Sequence, residues 1–339
     1  IGTTSSAAVQ EAPIVRGNSL YTIVDGPSWT QAEANSVKVG GHLAAINNAG
    51  ENSWIANEFS QDKYDYPGDQ NPWDPPSWHH LYLGGRQENG AWKWSSGDTW
   101  WDNFRTEWVD PTRTDAPVLT GLFNVYLRGQ YYLGDGQGTF VWYPVPDQTQ
   151  SEIFSHNKNG KGISETTFIR RGDSAYVIVQ GPTWEEAEAN AVKLGGHLVT
   201  INDAAENEWL IKTYTINTDN RVAEQQQRYY WTGLTDKLVE GTWEWVSGEQ
   251  SSYRNWAPGE PSNGNNSPQG EDFVHLGWDN GWNDFPSQGT IPYYAPMLAR
   301  HVGIAEIKLA PNNKPTGTPS VTGTLKSGST LTIDASSIK

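Results

Sequence analysis

SLYTIVDGPSWTQAEANSVKVGGHLAAINNAGENSWI, residues 19–55, returns at residues 174–210 as SAYVIVQGPTWEEAEANAVKLGGHLVTINDAAENEWL. The two stretches align without a gap at an offset of 155, and 23 of 37 positions are identical. That period is the length of a whole domain, so the repeat predicts two homologous domains and not a solenoid. Each copy opens on a short strand, Tyr21 to Val24 or Tyr176 to Val179, closed by Gly-Pro. A helix follows, with Ser28 or Thr183 as its N-cap. Trp184, Ala187, Ala191 and Leu194 recur at three- and four-residue steps and give it one apolar face, and Gly195-Gly196 stops it. His197 to Ile201 reads as a strand and Ala204 to Thr213 as a second helix. Short strands follow at Tyr230 to Leu234, Trp243 to Val246, Phe273 to Leu276 and Gly303 to Leu309, with first-copy counterparts at Leu81 to Gly85, Trp92 to Trp94 and Gly162 to Phe168.

These boundaries divide the 339 residues into 1–171, 172–310 and a tail, 311–339. The tail turns to Thr, Ser, Gly and Pro with short alternating β runs, as at the start of a further β-sandwich repeat. With 36% hydrophobic and 18% charged residues the chain is globular, and 18 Trp point to aromatic cores or sugar-stacking surfaces. A formal charge of −16 argues against a nucleic-acid partner and favours cation binding. No cysteine is present, so thiolate metal sites and disulfides are excluded. No apolar run is long enough to insert in a membrane. The chain begins at Ile without a signal-peptide pattern, as expected of a mature or excised piece.

Residues 255–284, NWAPGEPSNGNNSPQGEDFVHLGWDNGWND, bring Glu260, Glu271, Asp272, Asn283 and Asp284 close in sequence. Gly, Pro and Asn between them predict loops. Oxygen donors on loops suit a hard cation such as calcium, which takes six to eight of them at flexible geometry.

The order of elements resembles the C-type lectin-like domain, over about 290 residues in two copies. In the second copy Trp184, Ala187, Gly195, Gly196, His197 and Leu198 look like the family's first-helix signature. Trp231 to Leu234 looks like its WIGL motif, Glu260-Pro261-Ser262 stands where it carries EPN or QPD, and Trp282-Asn283-Asp284 is its WND. The resemblance implies an α+β fold: two tandem domains, each with two helices packed on small antiparallel sheets with long loops, plus the short C-terminal β segment. It also implies a principal calcium held by Glu260, Ser262, Glu271, Asn283 and Asp284, with two sugar hydroxyls completing the shell. Of these, Glu260, Ser262, Glu271 and Asn283 would also meet the sugar, and Ser262 is the shorter, poorer ligand. An auxiliary calcium site is implied at Asp236, Glu240, Asn263 and Asp272. The family's cysteines would fall at Ala191, Phe273, Ser287 and Ala305, and at Ser36 and Ser164 in the first copy. Losing two disulfides costs several kcal/mol, which aromatic cores and bound calcium could offset.

The first copy departs from this pattern. Gly84 to Trp92 is two residues shorter than Gly233 to Trp243, which removes the Asp236 and Glu240 equivalents. Neither an EPN-type triplet nor WND follows, but WWDNFRTEWVDPTRTD at residues 100–115 does, and that aromatic, acidic loop is expected to be an interface with the second copy or a protein partner. His42 and His197 occupy one place in both copies and are expected to be structural, and most of the Trp residues to be core. A glycosidase using Glu260 and Glu271 would need one of them protonated, whereas a cation holds both ionised, so no enzyme is expected. The expectation is calcium-dependent glycan binding by the second domain of a larger secreted or cell-surface adhesion protein of bacterial type. The alternative is an adhesive module for a protein partner, with calcium only stabilising loops.

Overall fold

The structure, a computed structural model, describes residues 12–26, 28–59, 80–88, 91–101, 123–128, 141–146, 161–215, 229–264, 270–278, 281–287, 301–309, 320–322 and 332–334. In the first half, strands β1 (Ile14–Arg16) and β2 (Ser19–Asp25) lead into helix α1 (Trp29–Lys38), then β3 (His42–Leu43) and helix α2 (Ala49–Glu58). Strands β4 (His80–Glu88), β5 (Ala91–Trp94), β6 (Phe123–Arg128), β7 (Val141–Pro146) and β8 (Lys161–Thr167) complete it. The second half repeats the order with β9 (Ile169–Arg171), β10 (Ser174–Gln180), α3 (Trp184–Lys193), β11 (His197–Leu198) and α4 (Ala204–Leu210). It closes with β12 (Tyr229–Thr235), β13 (Glu244–Trp245), β14 (Phe273–Trp278), β15 (Gly281–Phe285) and β16 (His301–Lys308).

The two sheets are wired identically. One runs β1-β2-β8-β4-β6-β7, with β3 on β8 and β5 on β4; the other runs β9-β10-β16-β12-β14-β15, with β11 on β16 and β13 on β12. In each a parallel pairing joins the strand after the second helix to the last strand, β4 with β8 and β12 with β16. Helix starts match as well: Ser28 accepts from the Gln31 amide, and Thr183 forms a full capping box with Glu186. Trp29 and Trp184 each donate an indole N–H to a strand carbonyl, of Leu83 at 2.8 Å and of Thr232 at 2.7 Å. His42 and His197 each meet a helix glutamate, Glu33 or Glu188, at 2.6 Å, which agrees with a structural role. Both halves also bury a tyrosine between two carboxylates: Tyr21 with Glu51 and Glu165 beside Arg16, and Tyr176 with Glu206 and Glu306 beside Arg171.

Several expectations are corrected. Asn283 and Asp284 lie on a strand, β15, because β14 supplies a hydrogen-bonding edge that local turn residues cannot reveal. The second helix of the second half is α-helical only to Leu210 and continues as a wider π turn over Ile211–Thr215. Strands β1, β9, β6 and β7 lie where no strand was expected. Of the tail, only the antiparallel pair β17 (Ser320–Thr322) and β18 (Thr332–Asp334) falls within the described residues. Of the first copy's aromatic loop, Trp100 packs on Trp92 and Trp94 of β5, and residues 102–115 lie outside the described set.

The four cysteine-equivalent positions of the second half are filled by packing. Ala191 and Ala305 are fully buried, and Phe273 stacks on Trp184 at 4.8 Å. Ser287 accepts from the Trp184 amide and donates to Glu185, tying the end of β15 to the start of α3. In the first half Ser36 and Ser164 are also fully buried, but their hydroxyls have no hydrogen-bond partner. An unmet buried hydroxyl costs about 1–3 kcal/mol. Ser164→Ala, which copies Ala305, is therefore expected to raise stability by about 1 kcal/mol. A urea midpoint moving the other way at unchanged slope would show that the hydroxyl is needed.

Candidate functional site

The site is built on the β14–β15 hairpin, whose register sets Val274 opposite Asp284, His275 opposite Asn283 and Leu276 opposite Trp282. Trp282 is fully buried and donates its indole N–H to Asn207 Oδ1 at 2.8 Å. Its backbone exchanges hydrogen bonds with the loop ahead of Glu260, to Asn255 O and from Ala257 N, both at 2.9 Å. That loop is thereby pinned alongside β15, and its Trp256 packs half-buried against Trp282 and Trp243.

Around this support the acidic side chains converge. Asp284, buried, accepts from Ser262 N at 2.9 Å and Asn263 N at 2.7 Å. Glu271, also buried, accepts from Gly264 N at 2.7 Å and Ser262 Oγ at 3.3 Å, while its own amide donates to Asn263 Oδ1 at 3.0 Å. Asn263 takes a positive φ of 43°, which an Asn tolerates better than most residues. A side chain at Gly264 would meet the Glu271 carboxylate at 2.7 Å, so a larger residue here would push that carboxylate aside. Burial and the neighbouring carboxylates of Asp284 and Glu271 push the Glu260 carboxyl up, against a Ser262 hydrogen bond that lowers it. Glu260 Oε2 is buried without a partner.

The expected auxiliary set also gathers. The space beside Gly270 is faced by Asn263 Oδ1, Asp272 Oδ1 and Glu240 Oε2. Asp236 is buried, accepts from Gly241 N at 2.8 Å through Oδ2, and leaves Oδ1 without a partner. Burial, with Glu240 and Asp272 near, lifts its carboxyl to about 6. Burial and Glu240 raise Asp272 too, partly opposed by Lys237. Lys237 itself pairs with Glu185 at 2.8 Å and lies over the Phe273 ring.

Among the described residues, no three acidic or imidazole side chains stand in ready-made metal coordination. The carboxylates are taken up by loop amides instead. The residues nonetheless fit a hard cation: every donor is oxygen, like charges crowd together, and two buried carboxylate oxygens lack partners. The acids singled out in the sequence lie on these neighbouring loops, and His275, which the sequence places four residues after Glu271 without a role, has its Nε2 3.1 Å from Asn283 Nδ2. The Lys237–Glu185–Ser287 relay was missed as well. The signal available for both was the opposing register of β14 and β15 and the absent cysteines.

The first half has no counterpart of this cluster among its described residues. Leu127 opposite Trp142, Tyr126 opposite Tyr143 and Val125 opposite Pro144 occupy the register of the second half's site hairpin. Tyr143 and Pro144 thus stand where the second half has Asn283 and Asp284. The β4–β5 turn pairs Glu88 with Ala91 directly, with no room for the Asp236–Gly241 loop.

Residues 180–293 match the family model described as Lectin C-type domain, and the chain carries a C-type lectin domain over that span. A perlucin-like protein of Mytilus galloprovincialis is 33% identical over 105 residues, covering 31% of this chain and 62% of that protein. Asialoglycoprotein receptor 2 of Mus musculus is 33% identical over 131 residues, 37% of this chain and 39% of the receptor. The chain thus spans less than two thirds of the length of these curated relatives. Among solved structures, the mouse scavenger receptor C-type lectin carbohydrate-recognition domain is 27% identical, covers 42% of this chain and 94% of that domain, and gives a TM-score of 0.32. Its human counterpart is 30% identical, covers 35% and 85%, and gives 0.30. No described helix is long and apolar enough to cross a membrane.

Proposed function

We propose that the second half binds glycans through calcium, using Glu260, Ser262, Glu271, Asn283 and Asp284. The observation that carries this reading is the closure of Glu260, Glu271 and Asp284 around the Ser262–Gly264 turn, inside the span that matches a C-type lectin domain. A calcium ion bound there would supply a Lewis-acidic centre for adjacent sugar hydroxyls. The chain's own residues hold the oxygens, and the Trp282 cluster keeps the loop in place. Asp236, Glu240, Asn263 and Asp272 form an auxiliary site on the same loops. The match to a lectin family model and the 33% identity with an asialoglycoprotein receptor support a glycan as ligand. In this reading residues 1–171 are a second lectin-like domain without the ligand set, residues 172–310 the binding domain, and 311–339 the start of a β repeat, in a secreted or surface-attached protein.

A glycan array run with calcium and with EDTA tests the proposal directly: signal is expected only with calcium. One observation favours a second reading. Leu238 and Val239, 85% and 60% exposed, form an apolar tip on the Asp236–Gly241 loop. If that tip meets a protein while calcium only stiffens the loop, the array is blank and partner binding survives EDTA.

Acid should weaken calcium binding. The raised carboxyl of Asp236, near 6, and the raised Glu260 and Asp272 take up protons in the metal-free fold as pH falls, and each proton displaces cation affinity. Because these pKa values lie above their unfolded ones, protonation stabilises the metal-free fold below about pH 6, so acid favours it over the calcium form. Calorimetric titrations at pH 7.5 and 5.5 should show the weaker Kd at the lower value; a flat profile would mean these carboxylates are not ligands.

A further inference from the structure

The hairpin that carries Asn283 also carries, directly opposite, a histidine that the function described so far leaves idle. His275 is fully buried on β14. It is ringed by Tyr229 at 5.0 Å, His301 at 4.9 Å, Phe285 at 5.3 Å and Trp231 at 5.9 Å between ring centroids. Its Nε2 stands 3.1 Å from the side-chain nitrogen of Asn283. Among the described residues no carboxylate pairs with it, so none supplies a counter-charge for an imidazolium. A neutral imidazole protonates only one of its nitrogens, so Nε2 can act as an acceptor.

An asparagine near a cation must present its oxygen, because its NH2 group carries positive hydrogens that a cation repels. An amide free to turn offers either atom. A buried acceptor behind Nδ2 removes that choice and leaves Oδ1 as the atom available to a ligand. Resting on the calcium reading above, we infer that His275 is a positioning residue, which accepts a hydrogen bond from Asn283 Nδ2 and so fixes which face of that amide the cation meets. Outer partners of this sort orient metal ligands and are worth roughly 10–100-fold in affinity.

The first half supplies an internal comparison. There the same register pairs Tyr126 with Tyr143, so neither the histidine nor the asparagine has a counterpart on that hairpin.

The test has two arms on the full chain. In metal-free protein labelled with ¹⁵N at histidine, the His275 Nε2 resonance is expected at the unprotonated, pyridine-like position, with the Asn283 amide protons slowed in exchange. Protonated Nε2 would overturn the inference whatever the calcium behaviour. In the second arm calcium is titrated calorimetrically into wild type, His275→Phe and His275→Gln. Phe fills the space without an acceptor and should weaken affinity roughly 10–100-fold with the fold retained, and Gln, which offers a carbonyl, should recover most of it. Equal affinity in wild type and His275→Phe sinks the positioning role and leaves the calcium site standing. A wild-type chain indifferent to calcium sinks the site itself, and the inference with it. Should His275→Phe fail to fold, the glutamine variant and the wild-type resonance decide.

Discussion

Asp284→Asn is expected to abolish calcium binding while changing the side chain by hardly more than one atom. Both carboxylate oxygens of Asp284 accept backbone N–H groups, from Ser262 and Asn263, at 2.9 and 2.7 Å. An amide has one acceptor oxygen, so its NH2 must face one of those donors across a buried gap. Hydrogen bonds to a charged group contribute about 1.5–3 kcal/mol each. Losing one corresponds to roughly a ten- to hundredfold loss in any equilibrium that needs the loop closed. The cation loses a formal charge among its ligands besides. One effect runs the other way: removing a carboxylate beside Glu260 relieves repulsion, so the metal-free variant should be little less stable than wild type. The predicted signature is therefore specific. Thermal unfolding without calcium shifts slightly, and the upward shift that millimolar calcium gives wild type disappears. A variant that still gains stability from calcium would show that Asp284 is a loop clasp and no ligand.

Much of this architecture is legible in the sequence because duplication doubles the signal. Helix caps at Ser28 and Thr183, the apolar steps of α3 and the Gly-Gly stop are local, and each occurs twice. The acid set of the second half is legible for the same reason that its strand is not: Glu260, Glu271 and Asp284 stand out by residue type, whereas β15 exists only because β14 lies beside it. The pairs hidden from sequence are those made across the sheet. His275 looks like any strand histidine until its register places it against Asn283. Ser287 looks like a lost cysteine until it is found bonding Trp184 and Glu185. Likewise, nothing local in VWYPVP at residues 141–146 marks it as the counterpart of GWNDF at 281–285. Pairing Leu127 with Trp142, as Leu276 pairs with Trp282, does.

That last correspondence separates scaffold from ligand and gives the other large effect expected here. The first half keeps the tryptophan, as Trp142, and replaces the two residues after it. If Trp282 serves the fold and Asn283-Asp284 serve the cation, Trp282→Ala should damage stability first and calcium binding only through it. The ring is fully buried, with Trp245, Tyr253 and Trp256 edge-on at 5.9, 5.7 and 5.9 Å. Truncating a buried tryptophan costs about 3–5 kcal/mol. The variant also strands the oxygen of Asn207, itself buried, for about 1–3 kcal/mol more. Domains of this size are stable by only about 5–15 kcal/mol, so the second half should stand near its unfolding midpoint at room temperature. The first half shares a buried cluster with the second, Val24 and Val39 with Val177 and Val179 among its members, so its midpoint should fall as well, by less than that of the second half. Saturating calcium should recover part of the loss, because a cation that binds only the folded loops adds to their stability by mass action. The Asp284→Asn variant has no such recovery, and that contrast is the decisive measurement. If calcium rescued neither variant, the acidic loops would be a purely structural clasp on β15.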